Sequence, residues 1–486
     1  MNICRRQFGA SIVGGLAWRL AAATRPKLLV VLILEQFRPD YLESLPLSSG
    51  GFRRFIEKGA WYSDCRHLAS TFSSATLTTL ATGAWPAEHG IVADSWYDRA
   101  AKRPVGAADE MLLATTVAAQ AAADPRWRVS VVAGEAAHAR LFAGTADANL
   151  YWMDERGQFA SRGEAPDWLA NFNTQHSPEV LHDHKWMALG ARPDTPPLRT
   201  LTFDQKHPEQ FVTLYKSSPF ALEAEFDLLQ EAIARELPTQ GTGLHLACLI
   251  DGSMARLGYD VGGRSQLMQQ MALQLDRRLE ALFAQLAKAP GEGAFGVVVA
   301  GAHGAPPEPS AETRARMAVN GESIARAVDQ RLTSAGLGRV EKYLYPFLYL
   351  NSDGFRDPEQ IRMLAARAAI EQPAVAGYYT AGGACSTHDD WQRRFRNSFH
   401  VERSGDVMLS YRPEYVEDFL QGRGVSYGSL YNYDVRTPLG FYGAPFRTGV
   451  ADRTIESVDL APTLARVMGV IPPSSSVGRV LWEALA

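Results

Sequence analysis

An α/β fold around a mostly parallel sheet is expected for this chain from three features. LLVVLIL, Leu28 to Leu34, is apolar throughout and of strand length, as a strand covered on both faces requires. Short β-rich runs recur at RVSVVAG (Arg128 to Gly134), LHLACLID (Leu244 to Asp251) and VVVAG (Val297 to Gly301), each ending at a polar or glycine turn. Before the last of them lies the clearest amphipathic helix. From Ser265 as N-cap to Lys288, the residues Leu267, Met271, Leu275, Leu279, Leu282 and Leu286 recur every three or four positions. Strand, helix and strand then form one crossover unit of a parallel sheet.

At the N-terminus, Arg5-Arg6-Gln7-Phe8 precedes the weakly apolar GASIVGGLAW and the Ala-rich LAAA, Leu20 to Ala23. This reads as a twin-arginine export signal, residues 1–23, leaving a chain of 24–486 destined for a bacterial periplasm or beyond. The first strand ends on Glu35, at the carboxyl edge where open α/β sheets keep their sites. After Thr71-Phe72 the chain turns helical, with Leu77, Leu80 and Ala81 at helical spacing before Gly83. Ser73 and Ser74 therefore stand at a helix N-terminus, where free N–H groups and the positive dipole end favour anions. The polar segment from Asn149 to Thr242, with Trp152, Trp168 and Trp186, reads as a long excursion. A further stretch, about 306–400, carries its own helix and strand pattern, including YLYPFLYL (Tyr343 to Leu350), and reads as an inserted smaller α/β subdomain.

With 486 residues, 46% hydrophobic and 21% charged, the chain can bury a large core. A net charge of -4 leaves no footprint for nucleic acid. No apolar run of the mature part reaches membrane-spanning length. Cys65, Cys248 and Cys385 are too few and too scattered for a disulfide framework.

The segment STFSSATLTTLATGAWPAEHGIVADSWYD, Ser70 to Asp98, resembles the nucleophile segment of the alkaline phosphatase superfamily. The branch is that of type I phosphodiesterases, nucleotide pyrophosphatases and single-chain bacterial alkaline phosphatases. There an acid ends the first strand, a Thr or Ser nucleophile lies nine residues before a Thr-Gly pair, and a GNDWYD-like segment follows. Counting back from Thr82-Gly83 gives Ser73. The likeness resumes in VVVAGAHG (Val297 to Gly304), GDVMLSYRPEY (Gly405 to Tyr415), YNYDVRTPLGFYG (Tyr431 to Gly443) and SVDLAPTLARVMGV (Ser457 to Val470). It implies a three-layer αβα sandwich with a mostly parallel central sheet.

The resemblance also implies two zinc ions that activate the hydroxyl and steady charge on phosphorus and leaving oxygen. One zinc is held by an Asp and a His four residues apart plus a late His; the other by the first-strand acid, the nucleophile and an adjacent Asp-His pair. Carried onto this sequence, the pattern frays. Asp251 survives, but the following His is Ala255; His303 survives, but the preceding Asp is Ala302. The late His is replaced by Arg436 or Tyr427. Glu35 replaces an Asp, moving the carboxylate by ~1.5 Å against metal-distance tolerances of about 0.2 Å. The phosphate-holding Asn becomes Asp94, and Glu135 and Ala137 stand where the monoesterase branch keeps Lys and Arg.

Taken without the resemblance, Ser73 and Ser74 cap a helix, Asp251 caps a turn, His303 is a buried hydrogen-bonded histidine, and His388-Asp389-Asp390 is a polar loop. Two expectations follow. In the first, zinc is lost or reduced to one weakly bound metal, hydrolysis fades, and an acidic pocket with little positive charge is left to bind a small phosphate or other ester. In the second, Ser73 with His303, or with one metal on Glu35 and His303, still cleaves an ester. Glu35, Ser73, Asp94, Asp251 and His303 are expected to converge at one sheet edge, with Arg436 pointing into the vacated zinc position.

Overall fold

The computed structural model describes residues 25–43, 50–192, 194–238, 242–306, 317–351, 356–413, 415–417, 427–450 and 453–486. The twin-arginine stretch, and 307–316 of the expected insertion, lie outside the described residues.

Strand Leu28–Leu34 lies at the centre of a ten-stranded sheet. Its side chains alternate between two cores: Leu29, Val31 and Ile33 pack on one face, and Leu28, Val30, Leu32 and Leu34 on the other, none with solvent exposure. Helices Ser73–Thr82, Ala136–Ala143 and Leu460–Met468 cover the first face through Leu77, Leu80, Leu141, Phe142 and Leu464. Helices Pro219–Glu236 and Gln266–Leu286 cover the second through Phe226, Leu229, Leu275 and Leu279. This is the expected αβα sandwich. Each such aliphatic side chain contributes roughly 1.5–3 kcal/mol by burial, so Val31→Asp, which buries an unpaired charge, would break the sheet at its centre.

The register decides what meets at the carboxyl edge. Leu34 faces Asp251 of the parallel strand Leu244–Asp251 on one side and Gly301 of the parallel strand Phe295–Gly301 on the other. Strand Trp127–Ala133 lies beyond, with Ala133 opposite Ile250. Strand Arg436–Gly443 runs antiparallel beside Phe295–Gly301, and Ala60–Arg66 antiparallel beside that. The expected amphipathic helix is Gln266–Leu286; Ser265 Oγ caps it by accepting from Met268 N–H at 3.2 Å. The excursion is more integral than its polarity implied. It opens as the last two strands on one side of the sheet, Asn149–Met153 and the edge strand Phe159–Ser161, and closes as the layer helix Pro219–Glu236.

A second, four-stranded antiparallel sheet is made by Arg339–Leu344, Phe347–Asn351, Val407–Tyr411 and Val375–Thr380. It runs past residue 400 to Tyr411 and packs a core of its own with helices Gly321–Ser334 and Pro358–Ile370. Aromatic pairs fix it to the main body: Tyr345 meets Phe72 edge-on at 5.9 Å, and Tyr349 meets Tyr97 at 5.3 Å. Those contacts hold the small sheet against the segment that carries Ser73. Cys65, Cys248 and Cys385 are all free thiols.

Candidate active site

Ser73 is the first residue of helix Ser73–Thr82; Phe72 before it is extended, and Gly83 ends the helix at a φ of 69°. The Ser73 hydroxyl is buried and donates to Glu35 Oε2 at 2.9 Å. Glu35 leaves its strand in sheet register, its N–H donating to Asp251 O at 3.0 Å. His303, two residues beyond the neighbouring strand, brings Nε2 to 3.2 Å from Ser73 Oγ. Its Nδ1 lies 2.8 Å from Gly304 O, which can only accept. The proton therefore sits on Nδ1, and Nε2 presents a lone pair to the serine, whose single hydroxyl proton can be given either to Glu35 Oε2 or to Nε2. Burial lowers the His303 pKa despite the opposing field of Glu35, so the ring is neutral.

Two cations that the sequence pattern did not reveal stand among these acids. His138 Nδ1 lies 2.8 Å from Glu35 Oε1. Burial disfavours both charges, but the pairing wins: Glu35 is lowered to about 2 and His138 raised to about 9. Arg256, on helix Ser253–Val261, donates from Nη2 to Glu135 Oε1 at 2.6 Å. Burial opposes its charge, and Glu135, Glu225 and Glu35 raise its pKa in turn. The expectation of little compensating positive charge is thus corrected. His138 stood in plain view within GEAAHARLFAG, and Arg256 directly follows the vacated position Ala255.

Asp251 is fully buried, with Oδ1 accepting from Ser253 N–H at 3.1 Å. Its other oxygen has no hydrogen-bond partner, and neither has Glu225 Oε2; burial and then the nearby Asp251 push the Glu225 pKa well up. The pair is consistent with a protonated Glu225 beside Asp251. Asp94 accepts from Ser74 N–H at 2.8 Å. The helix N-terminus that could receive an anion is therefore already occupied by a carboxylate of this chain.

These groups surround a cavity of about 1180 Å³. Glu35, Ser73, Asp94, Glu135, His138 and Arg256 line it, with Phe72, Tyr345 and Tyr427 as an aromatic wall. His303 and Asp251 reach the cluster from behind that lining. Arg436 does not join it, which corrects the expectation that it fills the vacated zinc position. It opens strand Arg436–Gly443, half exposed, donating from Nε to Ser63 O at 3.2 Å and pairing with Asp64 at 3.5 Å. The other candidate, Tyr427, is the residue at the site, stacked on the His303 ring at 4.4 Å and 23°.

The zinc pair that the resemblance implies can be tested against these donors, and they do not fit it. Both Glu35 oxygens are engaged, by His138 and Ser73; His303 Nε2 faces Ser73 and its ring is covered by Tyr427. Ala255 and Ala302 offer no donor. A zinc site needs at least three protein donors, and among the described residues no group of three or more His, Cys, Asp or Glu side chains is arranged to hold a metal, His388-Asp389-Asp390 included.

The family model of type I phosphodiesterase / nucleotide pyrophosphatase matches residues 29–418. The chain is 23% identical over 522 residues to alkaline phosphatase PhoV of Synechococcus elongatus, across 95% of this chain and 93% of that protein. It is likewise 23% identical to alkaline phosphatase PafA of Elizabethkingia meningoseptica, across 98% of both. The crystal structure of wild-type alkaline phosphatase PafA shares the fold at a TM-score of 0.84 and 21% identity, covering 96% of this chain and all of that one. Murine ectonucleotide pyrophosphatase / phosphodiesterase 5 follows at 0.57 and 15% identity, across 91% and 95%. With most of its length matched by the family model, this chain belongs to the type I phosphodiesterase / nucleotide pyrophosphatase family of the alkaline phosphatase superfamily.

Proposed function

We propose that this protein is an exported family member in which two-zinc phosphoester hydrolysis is lost or strongly reduced, the pocket being kept to bind a small-molecule ligand. The observation that carries this reading is the engagement of Glu35. Its carboxylate, a metal ligand in the family, pairs with His138 at 2.8 Å and accepts from Ser73 at 2.9 Å. Ala255 and Ala302 remove two further donors. A phosphate dianion would also meet Asp94 at the helix N-terminus it needs. Export rests on the Arg5-Arg6 signal, and the second sheet with its own core fits an insertion of about 306–400. Aryl phosphate mono- and diesters assayed in excess zinc should turn over no faster with the wild type than with Ser73→Ala. Zinc-dependent turnover that Ser73→Ala abolishes would overturn the reading.

A second reading has one observation in its favour: the Nδ1–H of His303 is tied to Gly304 O, leaving Nε2 facing Ser73 Oγ. On an uncharged carboxylic ester, Nε2 would take the Ser73 proton as Oγ bonds to the carbonyl carbon, then return it to the leaving alcohol. Water would release the acid from the acyl-serine by the same exchange. The Ser74 amide, already bonded to Asp94, is not free to steady the oxyanion, so the rate would be low. A fluorophosphonate probe separates the readings: covalent labelling of Ser73 favours the second, and an unlabelled protein excludes it.

A further inference from the structure

With the zinc pair gone, a reading proposed above on which the following rests, the acids at the sheet edge need another source of positive charge. Three of them are nearly closed to solvent: Glu35 at 6% exposure, Glu225 at 1% and Asp251 at 0%. Acids so buried need opposite charge or protons nearby, because an uncompensated buried carboxylate costs several kcal/mol. Glu35 has His138 on one side. The Arg256 guanidinium is the second cation near it. Its Nη1 lies 3.0 Å from where a Cβ on Gly134 would stand and 3.2 Å from where one on Gly252 would stand. Glu225 Oε1 is 3.1 Å from the first of those points, and Glu35 Oε1 is 3.6 Å from the second. The same guanidinium binds Glu135 Oε1 at 2.6 Å. Gly134 and Gly252 follow two adjacent strands, so the missing side chains at two strand ends leave a slot, and the guanidinium lies in it.

We infer that Arg256 is a built-in cation for this acidic edge, its planar fork held between Gly134 and Gly252 among Glu35, Glu135 and Glu225 where family members rely on a metal, and that it excludes divalent cations from the site. A guanidinium suits this place because it stays charged when partly buried, and its several N–H groups can reach more than one acid together. Ala255 beside it adds space rather than a competing donor. Arg256 acts on the acids, not on a substrate, and is a positioning residue in this sense.

The test uses the full-length protein, thermal melting in EDTA and in zinc, and zinc uptake by calorimetry. Wild-type melting should be the same in EDTA and in zinc. Arg256→Met keeps much of the side-chain volume without the charge; it should melt on the order of 5 °C lower in EDTA, recover part of that loss in zinc, and bind zinc at least ~10-fold more tightly than the wild type. Arg256→Lys restores a cation and should melt close to the wild type and take up no more zinc than it does. This variant also decides the matter if Arg256→Met does not fold. A Lys variant as damaged as the Met variant would assign Arg256 a packing role and overturn the inference. A Met variant that melts and binds zinc as the wild type does would overturn it too. Neither result touches the functional proposal, which fails separately if the wild type shows zinc-dependent, Ser73-dependent turnover.

Discussion

Replacing Asp94 by Asn should convert the site from one that repels phosphate to one that admits it. Asp94 Oδ1 accepts from Ser74 N–H at 2.8 Å, and an Asn oxygen can accept the same bond, so the helix start keeps its geometry. What changes is charge. A phosphate oxygen at the helix N-terminus would lie roughly 4 Å from the Asp94 carboxylate, where two unit charges repel by about 4 kcal/mol at an effective dielectric of 20. Asp94 is only half-buried, and solvent screening reduces this to about 1.5–3 kcal/mol. That is about 10- to 100-fold in affinity. Calorimetry with inorganic phosphate should be run in EDTA and at pH 8, because burial pushes the Asp94 carboxyl up and its charge must be fully developed in the wild type. Phosphate affinity unchanged within about twofold, in a variant with an unaltered circular dichroism spectrum, would show that Asp94 is not the group that bars the anion.

Other expectations concern stability and the discarded site residue. His89 and His245 are buried and held neutral by burial, at about 3 and about 4. His89 Nδ1 accepts from Ile91 N–H at 3.1 Å, a bond that protonation would break. Unfolded histidine takes its proton near 6.5, so their stabilisation is complete above that pH and is lost as pH falls toward about 4 for His245 and about 3 for His89. At pH 5 the loss is at most about 2 kcal/mol for each, and denaturant midpoints at pH 7.5 and 5.0 should show it. Asp434 behaves oppositely, since burial raises it to about 7 and the folded chain holds its proton longer than the unfolded one. Its cost therefore grows between pH 3.8 and about 7, and Asp434→Asn should raise the melting temperature at pH 8 but not at pH 4. Arg436→Ala should change stability by less than about 0.5 kcal/mol and leave Ser73 reactivity untouched, because its partner Asp64 is a surface one.

The parts legible from sequence are those dictated by local periodicity and by the rule that strand ends gather at one edge. LLVVLIL could only be a strand covered on both faces, and its side chains do divide between two cores. Helical spacing up to Gly83 set Ser73 at a helix start, and the ends of adjacent strands brought Glu35 and His303 within reach of it, with Asp251 at the same sheet edge. What the pattern could not supply was the counter-charge. Whether His138 faces Glu35 depends on how helix Ala136–Ala143 packs against helix Ser73–Thr82, a tertiary fact with no local signal. Arg436 misled because a basic residue near the late-His position is a plausible replacement in one dimension. In three, it starts a strand paired with Arg66 and lies at the rim, while Tyr427 covers His303. Arg256 is the more instructive omission. It lies one residue beyond Ala255, rotated about 100° around the helix from the position that lost its histidine. A guanidinium on three methylenes can turn back into the slot between Gly134 and Gly252, so reach, rather than position in the motif, decides which residue meets the acids.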